Sequence, residues 1–108
     1  MAYSVRTTPH FDREAKVLAK KYRSLRQDLL DLGAELQENP ELGRAIGHNC
    51  YKIRLAIKSK GRGKSTGGRV ISYIYVERAT VYLLSIYDKS EKSSISDAEL
   101  RELLRGIE

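Results

Sequence analysis

The sequence predicts an α+β fold, a small antiparallel β-sheet of about four strands with two helices before it and one after it. Three observations carry that prediction. Apolar residues recur at helical spacing from Phe11 to Leu36. The period changes to two between Tyr51 and Lys58. Two runs of β-branched and aromatic residues then follow, parted only by Glu77, Arg78 and Ala79. Helices covering one face of an antiparallel sheet bury a helical stripe and an alternating strand together. With 108 residues, 41% of them hydrophobic, the chain suffices for one core that removes roughly two thirds of its unfolded surface from water. A single domain over residues 1–108 is expected.

The elements follow in order. Ala2 to Arg6 is short and alternating, which reads as a strand. At Thr8-Pro9 the threonine suits the N-cap, and the proline suits the first helical position, where its missing N–H costs nothing. Phe11, Ala15, Leu18, Tyr22 and Leu25 step by four, three, four and three, giving one apolar stripe. Ser24 and Gln27 stand at capping-box spacing, so a bend near Tyr22 to Ser24 splits this stretch into two helices. Leu25, Leu29, Leu32 and Leu36 continue the period until Asn39-Pro40, because proline pushes the residue before it out of the α region. Along Tyr51 to Lys58, Tyr51, Ile53, Leu55 and Ile57 point one way and Lys52, Arg54 and Lys58 the other, a half-buried strand with a basic outer face. Lys60 to Gly68, rich in Gly, Ser and Lys, reads as a flexible connection. Arg69 to Val76 and Thr80 to Tyr87 form a hairpin. Ser96 with Glu99 is a second capping box, opening a helix that carries Leu100, Leu103, Leu104 and Ile107. The sheet face away from the helical pair is expected to be open.

Charge narrows the function. Twenty Lys and Arg against fourteen Asp and Glu give +6. Between Leu42 and Val76 stand eight basic residues, Arg44, Lys52, Arg54, Lys58, Lys60, Arg62, Lys64 and Arg69, and no acidic one. The remaining twelve basic and fourteen acidic residues balance to −2. The whole positive excess therefore lies in the middle third, and such a concentration attracts phosphate polyanions.

Other classes fall away. One cysteine, Cys50, excludes an intrachain disulfide and a cysteine-based zinc site. Cys50 reads as a small strand residue, His10 as exposed on the first helical turn, and His48 as a loop residue near the basic strand. Gly63-Lys64-Ser65 resembles the end of a phosphate-binding P-loop, but the first glycine would fall on Lys58 and a strand follows where a helix is required. No Gly-x-Ser-x-Gly elbow exists, and no metal or cofactor is expected. The first twenty residues lack a signal-like apolar run and no stretch is long enough for a membrane span, so a cytoplasmic protein without membrane association is expected.

What remains is phosphate chemistry carried by cations. Cleaving RNA needs a base for the 2′-hydroxyl, positive charge on the transition state and an acid for the leaving oxygen. Arginine forks suit the charge, and a lysine crowded by cations has a lowered pKa that suits the base. Lys52 and Arg54 share a strand face, Arg69 opens the next strand, and Tyr87 and Lys89 close the last. In a sheet these ends converge. Lys58, Lys60, Arg62 and Lys64 are candidate RNA-backbone contacts.

Five segments in order, Phe11-x-x-Glu14-Ala15-Lys16-x-Leu18, Leu36-x-x-Asn39-Pro40-x-x-Gly43, Tyr51-Lys52-Ile53-Arg54-Leu55, Gly67-Gly68-Arg69-Val70-Ile71 and Tyr82-Leu83-Leu84-x-Ile86-Tyr87-x-Lys89, resemble the RelE/ParE superfamily of bacterial type II toxins. The match is closest to its RelE and HigB-like ribonucleases. The resemblance implies a metal-independent mRNA endonuclease (an mRNA interferase) that uses the RNA 2′-hydroxyl as nucleophile, often acts on the ribosome, and is held inactive by a cognate antitoxin. By position, Lys52 and Arg54 match the family's basic strand pair, Arg69 its phosphate-binding arginine, and Lys89 the basic position after the last strand. Where some relatives place a late base-stacking tyrosine this chain has Ile95, leaving Tyr87 as the candidate stacking platform. Lys52 is the expected base and Lys89 the expected acid. A ParE-like non-nuclease toxin that poisons DNA gyrase and a non-catalytic RNA-binding module are the alternative functions.

Overall fold

The computed structural model describes residues 2–60 and 67–107. Its elements are β1 (Ser4–Thr7), α1 (Pro9–Lys21), α2 (Leu25–Glu38), β2 (Arg44–Gly47), β3 (Cys50–Leu55), β4 (Gly68–Tyr75), β5 (Thr80–Asp88) and α3 (Asp97–Arg105). Short 3-10 turns occupy Lys58–Lys60 and Val76–Arg78. The five strands lie in the order β1-β5-β4-β3-β2. The α+β expectation holds, with two corrections. The described residues form five strands rather than four, and β1 runs parallel to β5, with Ser4 opposite Thr80 and Thr7 opposite Leu83. Strand β3 is also shorter than the alternating pattern suggested, since the chain turns into 3-10 geometry at Lys58.

The local signals explain most elements. Thr8 caps α1 by accepting from the Phe11 N–H at 3.2 Å, with Pro9 at the first turn. Ser96 and Glu99 complete the reciprocal box at the start of α3. Ser24 behaves differently. Its hydroxyl donates to Asp28 Oδ2 at 2.7 Å and bonds Ser59, so it ties α2 to the Lys58–Lys60 turn and caps no helical N–H. The hydroxyl is taken by a buried carboxylate before the helix can use it.

Helices α1 and α2 cover one sheet face. Phe11, Leu18, Leu25, Leu32 and Leu36 pack there against Ile53, Leu55, Val70, Ile74, Val81 and Ile86. The opposite face is only partly open, because α3 folds over it and packs Leu100 against Cys50, Ile71, Leu84 and Tyr87. Burial pushes the Cys50 thiol up to about 12, which fits an inert strand residue. A bulge in β5, where Ile71 faces Ser85 but Ser72 faces Leu83, frees backbone groups from the ladder. Glu14 of α1 answers it, accepting from Ser85 Oγ at 2.7 Å and the Ile86 N–H at 3.1 Å. His10 stands over the same carboxylate at 3.1 Å. Among the described residues no helix is long and apolar enough to cross a membrane.

One carboxylate joins three of these pieces. Asp88, at the end of β5, is 1% exposed. It accepts from Tyr22 Oη at 2.5 Å, Lys60 Nζ at 2.7 Å, and the Ser90 N–H and hydroxyl at 2.9 and 2.7 Å. Burial alone would raise its pKa, but the bonds from Lys60, Tyr22 and Ser90 outweigh that and hold it well below the usual carboxylate range. A depressed folded pKa stabilises the fold above the unfolded value of about 3.9 and ceases to do so as pH falls towards the folded value. Replacing Asp88 by Asn removes the buried charge that Lys60, Tyr22 and Ser90 address. Urea unfolding at pH 7 should show a loss of about 3–5 kcal/mol, together with a flatter acid limb in the stability–pH curve. A loss below about 1 kcal/mol would mean the cluster is held by packing rather than by this charge.

Candidate functional site

Strand register decides which side chains meet. Arg54 of β3 lies directly opposite Arg69 of β4, and Arg69 lies opposite Tyr87 of β5. Two residues along, Arg44, Lys52 and Ile71 form the next row across β2, β3 and β4. Residues two apart on a strand share a face, so Lys52 and Arg54 project together from the face away from α1 and α2. Lys89 follows at the end of β5, its N–H bonded to the Gly67 carbonyl at 3.0 Å. Arg44, Lys52, Arg54, Arg69 and Lys89 thereby line one open groove of about 620 Å³. The same cavity reaches round the β3 edge to Asp28, Asp31 and Glu35 of α2, on the other sheet face.

Glycine is required at two points of this frame. A side chain on Gly43, whose φ is +102°, would sit 2.6 Å from the Lys52 carbonyl. One on Gly67 would sit 2.2 Å from the Leu55 carbonyl. Both let backbone approach backbone beneath the cations.

Among the described residues no carboxylate forms an ion pair with Arg44, Lys52, Arg54 or Lys89. Burial lowers the Lys52 pKa, and Lys89, Arg44, Arg69 and Arg54 add to that in the same direction. Arg69 is 4% exposed, and its Nη1 donates to the Gly68 carbonyl at 3.0 Å. Burial and then Arg54 push the guanidinium pKa down, with Tyr87 acting against them. Arginine stays charged regardless. A phosphate entering here meets the exposed Arg54 and the half-buried Lys52, with Arg69 beside them beneath the surface.

Several expected residues stand elsewhere. Tyr87 was the candidate stacking platform, but it is 6% exposed and packs under α3. Its ring is covered, and Lys92 Nζ stands 5.5 Å from the ring centroid. Burial raises its hydroxyl pKa, opposed by Arg69 and Lys92, so the tyrosine backs Arg69 from below. Lys60 was a candidate backbone contact, but Asp88 takes its ammonium. Lys58 stands at the groove's rim, 3.8 Å from Asp31. Arg62, Lys64 and the Gly63-Lys64-Ser65 segment lie outside the described residues. Ile95 packs against the α3 cluster. His48 lies in the β2–β3 turn, 3.4 Å from Asp97 of α3, and does not line the groove. Arg44 was missed. The available signal for Arg44 was Gly43 just before it.

No protein-family model matches the chain. Among solved structures, a free-state variant of the E. coli toxin RelE superposes with a TM-score of 0.66 at 21% identity, covering 100% of both chains. The fold is that of the RelE toxins. The RelE fold recurs in the intact E. coli RelBE toxin–antitoxin complex, with a TM-score of 0.61 and 23% identity over 81% of this chain and 96% of that one. The RelBE2 toxin–antitoxin complex of Mycobacterium tuberculosis gives 0.61 and 22% over 82% and 99%.

Crowding of cations on the groove floor has two measurable consequences. An NMR titration of lysine side chains should place Lys52 below the ordinary lysine value, and Arg54→Gln should move it upward. Lys52→Gln should raise Tm by about 2–4 °C at low salt by removing repulsion, and by less once salt screens the cluster. A Lys52 that titrates normally in both proteins would show that the charges do not converge.

Proposed function

We propose that this protein is the toxin of a type II toxin–antitoxin pair and cleaves mRNA on the translating ribosome. The observation that carries the reading is the Arg54–Arg69 row at the base of an acid-free groove floor, set in a RelE fold. Arg54 and Arg69 grip the scissile phosphate and neutralise charge as it becomes dianionic. Lys52 takes the proton of the adjacent 2′-hydroxyl, whose oxygen attacks phosphorus. Lys89 returns a proton to the departing 5′-oxygen. The P–O5′ bond breaks as the 2′-O–P bond forms, and the chain's own cations supply the positive charge that this transition state needs. Tyr87 supports Arg69 and does not stack on a base.

A cognate antitoxin would be its partner, as RelB is in the solved complexes, and mRNA with the ribosome its target, which places it in the cytoplasm. A base that must be neutral makes the rate rise with pH through the Lys52 pKa.

A translation extract programmed with one defined mRNA tests this, with primer extension mapping new 5′ ends. Ribosome-dependent cuts are expected, with Arg69→Lys and Arg54→Ala each slowing them by about 10²–10³-fold while both remain folded. In wild type the rate should climb with pH, and Lys52→Arg should lose that climb. Cuts on naked RNA would remove the ribosome from the mechanism. No cuts by folded wild-type protein would overturn the nuclease and move the assignment to gyrase poisoning or silent RNA binding.

A further inference from the structure

A second opening adjoins the groove on the same sheet face. Lys52 of the cation row also borders a cleft of about 120 Å³, whose other walls are Ile46 of β2, Ile95, and Leu100 of α3. Strand geometry places it. Along β3, Arg54, Lys52 and Cys50 share the face away from α1 and α2, each about 7 Å from the next, and Leu100 packs over Cys50. The cleft therefore lies beyond Lys52, on the side away from Arg54 and Arg69. Ile46 and Ile95 are only half-buried, two branched apolar side chains facing a gap that packing within the chain leaves unfilled. Ser94 and Ser96, both exposed, complete the rim. Among the lining residues Lys52 and Asp97 alone are charged, and Asp97 is taken by Arg101 Nε at 2.8 Å and His48 Nε2 at 3.4 Å.

Apolar walls offer nothing to a phosphate, but they suit the flat ring of a nucleobase. An apolar cavity of roughly 150 Å³ admits benzene. One of about 120 Å³ that opens to solvent takes a single six-membered ring, and the fused rings of a purine overfill it. The sugar–phosphate backbone brings a nucleobase to the same place. With the scissile phosphate on Arg54 and Arg69 and the attacking 2′-hydroxyl at Lys52, the nucleobase hangs from C1′, next to the carbon that bears that hydroxyl. It reaches past Lys52 by one further row. Ser96 Oγ accepts from the Glu99 N–H at 3.1 Å and keeps its own proton to donate. A serine hydroxyl serves a carbonyl or an amino group equally, so cytosine and uracil are held alike.

We propose that this cleft seats the nucleobase on the 5′ side of the cut: Ile46, Ile95 and Leu100 hold one pyrimidine ring and exclude the two rings of a purine. This rests on the RNA-cleaving reading above and names the substrate preference of the same groove. Lys52 belongs to the groove floor and to one wall of the cleft, so seating the ring also sets the ribose beside its amine.

Fluorescence anisotropy tests this with labelled hexamers of abasic 1′,2′-dideoxyribose phosphate in which one position carries a 2′-O-methyl nucleotide. None has a free 2′-hydroxyl, so none is cut. Wild type should bind the cytidine and uridine hexamers at least about fivefold more tightly than the fully abasic one, and the adenosine hexamer within about twofold of it. Ser94→Leu fills the cleft from an exposed position and should erase the pyrimidine advantage. Ser93→Leu, at an exposed neighbour outside the cleft, should keep it. Ile46→Ala widens the cleft and should tighten adenosine binding by at least about threefold, a gain that a damaged fold does not produce. Four results overturn the proposal: pyrimidine and abasic hexamers bound equally by wild type, adenosine bound as tightly as cytidine, an advantage that survives Ser94→Leu, or no gain in Ile46→Ala. Abasic binding that Arg54→Ala weakens marks the phosphate grip as intact, so that such a failure falls on the cleft alone. If no hexamer binds even at low salt, the RNA reading itself fails, and the cleft proposal fails with it.

Discussion

The buried carboxylate of Asp88 is the constraint on which the rest of this structure hangs. Tyr22 ends α1, Lys60 ends the turn after β3, and Ser90 begins the descent from β5 towards α3; Tyr22 reaches Oδ2, while Lys60 and Ser90 reach Oδ1. Helical pair, sheet edge and C-terminal segment are thus clamped where Lys89 leaves the sheet. A buried ion is worth having only when its partners are held at good geometry, and here they come from three directions. The clamp also sets the height of Lys89 over the Gly67 carbonyl, and so its distance from Lys52 and Arg69. Loosening it would disturb the groove before it disturbed the core.

The groove itself is held together against its own electrostatics. Arg44, Lys52, Arg54, Arg69 and Lys89 would be further apart in any fold chosen for stability alone, and burial of Arg69 adds a desolvation cost. The hydrophobic packing beneath, Ile53 and Val70 on one side and Ile71 and Leu84 on the other, makes that concentration tolerable. Stability lost at a site and recovered in the core is the usual pattern where a surface must bind a charged group.

Much of this was legible in the residues. Thr8-Pro9 and the Phe11 to Leu25 stripe specify α1 locally, Ser96 and Glu99 specify the start of α3, and the alternation at Tyr51 to Leu55 places Lys52 and Arg54 on one face. Convergence of those two with Arg69 and Lys89 followed from strand order. The rest depends on partners distant in sequence. Strand β2 spans four residues with only Ile46 half-buried, too few for a period to appear. Nothing in Ser4 to Thr7 names β5 as a parallel neighbour. Lys58 and Lys60 look alike on paper, yet only one has a buried carboxylate waiting. Tyr87 has a readable face, but that α3 covers it depends on where a helix ten residues on comes to rest.

The order β1-β5-β4-β3-β2 also dictates when the molecule comes into being. The first strand and the two helices leave the ribosome early, but the surface they cover is built from β3, β4 and β5. Loop closure must precede any reward for the pairing of Ser4 with Thr80. At a synthesis rate of about 5–20 residues per second, the amino-terminal half waits seconds, unsupported, for Asp88 to arrive and lock Tyr22. The cation row cannot assemble until β5 is paired, so a chain still being made is chemically blank. Its groove comes into existence only once β5 has left the ribosome and paired with β4.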